Sequence, residues 1–115
     1  MAVDTFAAIN VGSFELELGI YEISARSGIR QIDRMRHVIS LGSETYKNGK
    51  ISYGMVEELC QVLGDFSAVM KTYRVKDYRA YATSAMREAR NSQIVIDQIR
   101  VRTGIEVRII SNSEQ

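Results

Sequence analysis

The sequence predicts a single α/β domain spanning residues 1–115: a mixed five-stranded sheet of three antiparallel strands and then two crossover units, with helices on its faces. Two observations carry that prediction. Before Ser43 the chain runs through short apolar or alternating stretches whose connections are too short for the crossover that parallel strands need, so they pair antiparallel. After Ser43, helical periodicity alternates with strand-length apolar runs, the order that right-handed crossovers produce. A chain of 115 residues has room for one core only.

The elements follow in order. Phe6 to Val11 is an apolar run ending at Gly12, as a buried strand entering a tight turn would be. Leu16, Leu18 and Ile20 alternate with Glu15, Glu17 and Gly19, which marks a half-buried second strand. Ser24 to Gly28 is a turn cluster, and Ile29 to Arg34 alternates less cleanly as a third strand. Ser43 to Gly49 is polar and glycine-containing, which reads as a loop delivering the chain to a helix start near Ser52. Met55, Leu59, Val62, Leu63, Phe66 and Met70 then recur at three- and four-residue steps, the apolar face of a helix of roughly twenty residues. Tyr78 to Thr83 is a fourth strand, followed by Ser84 as an N-cap and by the helix formers Ala85 to Ala89. Asn91 or Ser92 caps a further helix stopped by Gly104; its β-branched residues also suit a strand, but the length favours a helix. Ile105 to Ile110 is the last strand.

Composition narrows the functional classes. Hydrophobic content of 45% and charged content of 25% are those of a folded soluble domain, and no apolar run is long enough for a membrane span. Fifteen basic residues against 14 acidic ones, with no Lys/Arg run, give no electrostatic footprint for duplex nucleic acid. Cys60 and His37 each stand alone, which excludes an internal disulfide and a zinc-like cluster and suits a reducing cytoplasm. Cys60 and the methionines share the apolar face of the long helix and read as core. His37 reads as a surface strand residue, and Tyr73, Tyr78 and Tyr81 as rim packing.

Two junctions carry the candidate chemistry. Gly12 and Ser13 lie in a turn between strands, where small residues let N–H groups and a hydroxyl approach an anion, although such a pair is more often a plain turn. Thr83 and Ser84 sit where a strand passes into a helix, so helix-start N–H groups and the dipole converge on one spot.

At these same junctions the sequence resembles the exopolyphosphatase and guanosine pentaphosphate phosphohydrolase family. FAAINVGS, Phe6 to Ser13, resembles the family's F-A-A-I-D-x-G-S, and ATSAMREARN, Ala82 to Asn91, resembles A-T-S-A-L-R-E-A-x-N. LGSETYKNGKIS, Leu41 to Ser52, is similar to L-G-x-G-L-x-x-x-G-x-L-S, and TGIEVRIIS, Thr103 to Ser111, to T-G-x-x-x-x-x-I-S. The resemblance covers nearly the whole chain in order. It implies the first lobe of the actin-like ATPase or ribonuclease H-like fold, and a second lobe, bearing a D-I-G-G-G-S phosphate loop, that this sequence does not contain. The chain is therefore expected to be the N-terminal lobe of a two-lobed phosphatase.

What the resemblance implies can be placed residue by residue. Gly12, Ser13, Thr83 and Ser84 would bind substrate phosphate, with Arg87 as a bidentate partner of a phosphoryl group rather than a solvated helical Arg paired with Glu88. Asn10 stands where the family has an Asp near Mg²⁺, the implied cofactor; an amide offers a neutral oxygen and accepts no proton. The family's I-S-G-x-E-E-A places Glu114 on its first Glu and Gln115 on its second, the general base, so an amide again replaces an acid: either Glu114 takes the base role after a one-residue shift, or the mechanism leans on positioning and metal, or hydrolysis is lost. The expected partners are polyphosphate or a phosphorylated guanosine nucleotide, the second lobe, and, through the surface facing that lobe, another copy of the chain. Two functions compete: hydrolysis of a terminal phosphoanhydride by water, and a non-catalytic binding or sensing module with a degenerate site. An actin-like kinase lobe fits less well, because ATSAMREARN is not typical of those kinases.

Overall fold

The computed structural model describes residues 3–111. Strands β1 (Asp4–Val11), β2 (Glu15–Ser24) and β3 (Gly28–Val38) form an antiparallel meander; β4 (Asp77–Ala82) and β5 (Arg108–Ile109) extend it in parallel, in the order β3-β2-β1-β4-β5. Between them run α1 (Leu41–Asn48), α2 (Tyr53–Thr72), α3 (Ser84–Glu88) and α4 (Ser92–Thr103). The expected mixed sheet with crossover helices is therefore present.

The core follows the strand alternation. Ala7, Ile9 and Val11 of β1, Leu16, Leu18 and Ile20 of β2, and Ala80 and Ala82 of β4 are buried on one face, together with Leu59, Leu63 and Phe66 of α2 and Val95 and Ile99 of α4. All six expected apolar positions of α2 are buried. Each fully buried leucine contributes about 1.5–3 kcal/mol of transfer free energy, which is why this helix, with the strongest apolar stripe, anchors the layer. Ser52 caps α2: its hydroxyl accepts from the Met55 N–H at 3.2 Å and donates to Glu44 at 2.9 Å. Arg102 of α4 grips Glu57 of α2 with two nitrogens, holding that carboxyl below the usual glutamate range.

Strand β3 explains its own untidy alternation. The register passes from Ile20↔Asp33 to Tyr21↔Gln31, leaving Ile32 as an extra residue, so a β-bulge flips the side-chain pattern midway. The strand runs on to Val38, well past the expected end at Arg34.

Four local expectations are corrected. Ser43 to Gly49 is not a loop: α1 occupies Leu41–Asn48. It carries no apolar stripe, and tertiary bonds hold it: Gly42 N–H donates to the Ser13 carbonyl at 2.6 Å, and Glu44 accepts from the Ser52 N–H at 2.8 Å. Gly49, at φ 76°, closes it in the left-handed region that glycine tolerates. Second, Thr83 rather than Ser84 is the N-cap residue of α3, and no side chain caps that helix. Third, Asn91 is the N-cap residue of α4 but does not cap it with its side chain; its amide instead pairs with both the N–H and the carbonyl of Ile51, at 3.0 and 2.9 Å. Fourth, the final strand pairs only through Arg108 and Ile109. Upstream, the Thr103 hydroxyl accepts from the Ile105 N–H and the Tyr78 hydroxyl from the Glu106 N–H, both at 3.1 Å, so side chains replace the ladder there.

Candidate phosphate-binding site

Strand register places the site. β1 and β4 are parallel neighbours with Val11 opposite Ala82, and the pairing ends with the Thr83 N–H donating to the Val11 carbonyl at 3.2 Å. The chain leaves both strands at the same edge, so Ser13 and Ser84, each two residues beyond that pair, emerge side by side. β5 ends there too, and just beyond it the Ile110 N–H donates to the Ala82 carbonyl at 3.0 Å. The carboxyl ends of adjacent parallel strands are where open α/β sheets bind ligands.

Ser13 Oγ and Ser84 Oγ lie 3.3 Å apart. A third hydroxyl joins them: Tyr46 Oη of α1 is 3.1 Å from Ser13 Oγ and 2.6 Å from Ser84 Oγ. Hydrogen bonds from Ser13 and then Ser84 draw the Tyr46 phenol below the ordinary tyrosine value of 10.0, and the nearby Arg87 charge acts the same way against the opposing Glu88. Sequence reasoning missed Tyr46 because it lies in the segment read as a loop, where no apolar stripe marks a helix.

The remaining expected residues sit as follows. Gly12 is in the turn, but its N–H donates to the Glu15 carbonyl at 2.9 Å, closing the hairpin rather than facing a ligand. Thr83 spends its N–H on Val11. The helix that begins here, α3, is only five residues long, so its dipole adds little and the hydroxyls carry the argument. Arg87 is largely buried, its side chain 21% exposed, and donates from Nη1 to the Ile110 carbonyl at 2.6 Å; its Nε is 3.8 Å from Glu88. It is thus a clamp between α3 and the end of β5. Asn10 is exposed on β1, across from Glu17, whose carboxylate is engaged by Arg34 at 3.0 and 3.1 Å. No three His, Cys, Asp or Glu side chains converge among the described residues; Mg²⁺ held by one or two carboxylates together with substrate phosphates does not require such a cluster. Glu114 and Gln115 lie outside the described residues.

A groove of about 640 Å³ between β3 and α2, lined by residues including His37, Glu58 and Phe66, contains none of the expected site residues. There His37 Nε2 meets the Glu58 carboxylate at 3.0 Å, a partly exposed pair that bears out His37 as a surface strand residue.

The position of Ser13 depends on Gly42. A Cβ on Gly42 would lie 2.9 Å from both Ser13 Cβ and Phe14 Cζ. Gly42→Ala is expected to push the β1–β2 turn away from Ser84, costing about 1–3 kcal/mol by overpacking against a helix-propensity gain of at most ~1 kcal/mol. A thermal melt lower than wild type checks the sign; a raised melting temperature would show that the turn yields freely.

This sheet order, with its crossover helices, is that of the actin-like and ribonuclease H-like lobes. The profile of the Ppx/GppA phosphatase family matches residues 19–115, and the chain belongs to that family. It is 23% identical over 107 residues to Exopolyphosphatase 1 of Mycobacterium leprae (strain TN), covering 93% of this chain and 32% of that protein. The crystal structure of the Aquifex aeolicus Ppx/GppA family member superimposes with a TM-score of 0.93 at 25% identity, over 98% of this chain and 37% of that one. An exopolyphosphatase from Cytophaga hutchinsonii ATCC 33406 shares the fold at a TM-score of 0.89 and 23% identity, over 96% and 35% of the two chains. The chain thus spans about a third of the length of the relatives it matches. No helix among the described residues is long and apolar enough to cross a membrane.

Proposed function

We propose that this chain is the N-terminal lobe of an exopolyphosphatase-like phosphohydrolase, which releases the terminal phosphate of inorganic polyphosphate or the 5′ phosphate of pppGpp by attack of water. The observation that supports it most is the approach of Ser13 and Ser84 to 3.3 Å at the ends of two parallel strands, in a member of a phosphatase family. Phosphoryl transfer asks mainly for positioning and charge neutralisation. Hydroxyl donors at this edge orient one phosphoryl group, and Arg87 holds the end of β5, and with it the start of the segment leading to Glu114, against the same edge. In this reading Glu114 takes the proton of the attacking water and Gln115 orients that water without accepting a proton. The second lobe supplies the opposite wall and excludes bulk water, so this lobe alone is inactive.

A second reading, a module that binds polyphosphate or a phosphorylated nucleotide without cleaving it, is favoured by Asn10 and Gln115, the two amides in place of acids. Phosphate release by the full-length protein, measured with polyphosphate and with pppGpp, separates the two. Hydrolysis predicts turnover of at least one; tight binding of either with no release supports the sensing module instead.

A further inference from the structure

We propose that Tyr46 is a third phosphoryl-contacting residue, whose phenol completes with Ser13 and Ser84 a seat of three hydroxyl donors for one phosphoryl group; this rests on the phosphate-binding reading above. The three hydroxyls come from three separate elements, the β1–β2 turn, α1 and the β4–α3 junction, and all three pairs lie within 2.6–3.3 Å. Each hydroxyl carries one proton and two lone pairs, so the trio can satisfy itself as a ring, each member donating to the next. Rotation about three C–O bonds then turns all three protons outward without any backbone movement. A phosphoryl group presents three terminal oxygens to receive them.

Packing does not account for where Tyr46 stands. The residue is 54% exposed, so its ring gains little from burial, yet its hydroxyl is drawn to the two serines. Fixing a side chain at an exposed position costs rotamer entropy that the hydroxyl contacts must offset.

The test is calorimetric titration of the full-length protein with inorganic tripolyphosphate, comparing wild type with Tyr46→Phe, Ser13→Ala and Ser84→Ala. Tyr46→Phe keeps the ring and deletes only the donor, and is expected to raise Kd about tenfold or more, as a hydrogen bond to a charged acceptor does when lost. Weakening in both serine variants with wild-type affinity in Tyr46→Phe would overturn the role of Tyr46 and leave the phosphate site standing. Wild-type affinity in all three would overturn the site itself, and Tyr46 with it.

Discussion

Replacing Ser13 and Ser84 together by alanine is expected to weaken binding of inorganic tripolyphosphate to the full-length protein by about a hundredfold or more. Each hydroxyl donates to a charged acceptor, a contact worth about 1.5–3 kcal/mol, or about tenfold to a hundredfold in Kd. The two are 3.3 Å apart in one network, so the double variant should fall short of the sum of the single variants. Folding should hardly change, because the β1–β4 pairing and the turn bond from the Gly12 N–H to the Glu15 carbonyl use backbone groups only. Calorimetric titration, with a thermal melt as the folding control, gives both numbers. Undiminished affinity in a folded double variant would remove phosphate from this edge of the sheet.

Arg87→Ala is expected to be the second large effect, on stability. The guanidinium is mostly buried and donates to the Ile110 carbonyl at 2.6 Å. Its loss strands that acceptor and leaves a gap between α3 and the sheet, costing about 1.5–3 kcal/mol. The consequence concentrates on β5, which has only two paired residues to hold it. Amide exchange at Ile110, whose N–H donates to the Ala82 carbonyl, should therefore quicken more than exchange in β1. A melting temperature and Ile110 exchange rate equal to wild type would return Arg87 to the reading of a solvated helical arginine.

What was legible in the sequence follows from how each element is held. The long helix α2 announced itself because six apolar residues share one face, and β1 and β2 because their alternation is clean. The sequence pattern put Ser13 in the turn between β1 and β2 and Ser84 at the β4–α3 junction, which is where the structure has them. α1 was opaque because it has no apolar stripe: only Leu41, Gly42 and Thr45 are buried, and its ties run to Ser13, Ser52 and Ser84. Tyr46 was lost with it. The bulge at Ile32 broke the alternation on which reading β3 depended. Likewise, nothing local to Arg87 indicates that its guanidinium reaches the carbonyl of Ile110, 23 residues downstream.

The most direct test of the phosphate seat is a crystal structure of the full-length protein with inorganic tripolyphosphate. The account predicts a terminal phosphoryl group at the carboxyl edge of β1 and β4, with its oxygens about 2.7–3.2 Å from the hydroxyls of Ser13 and Ser84. Tripolyphosphate bound elsewhere, for example against His37 in the groove between β3 and α2, with Ser13, Tyr46 and Ser84 still bonded only to one another, would contradict it.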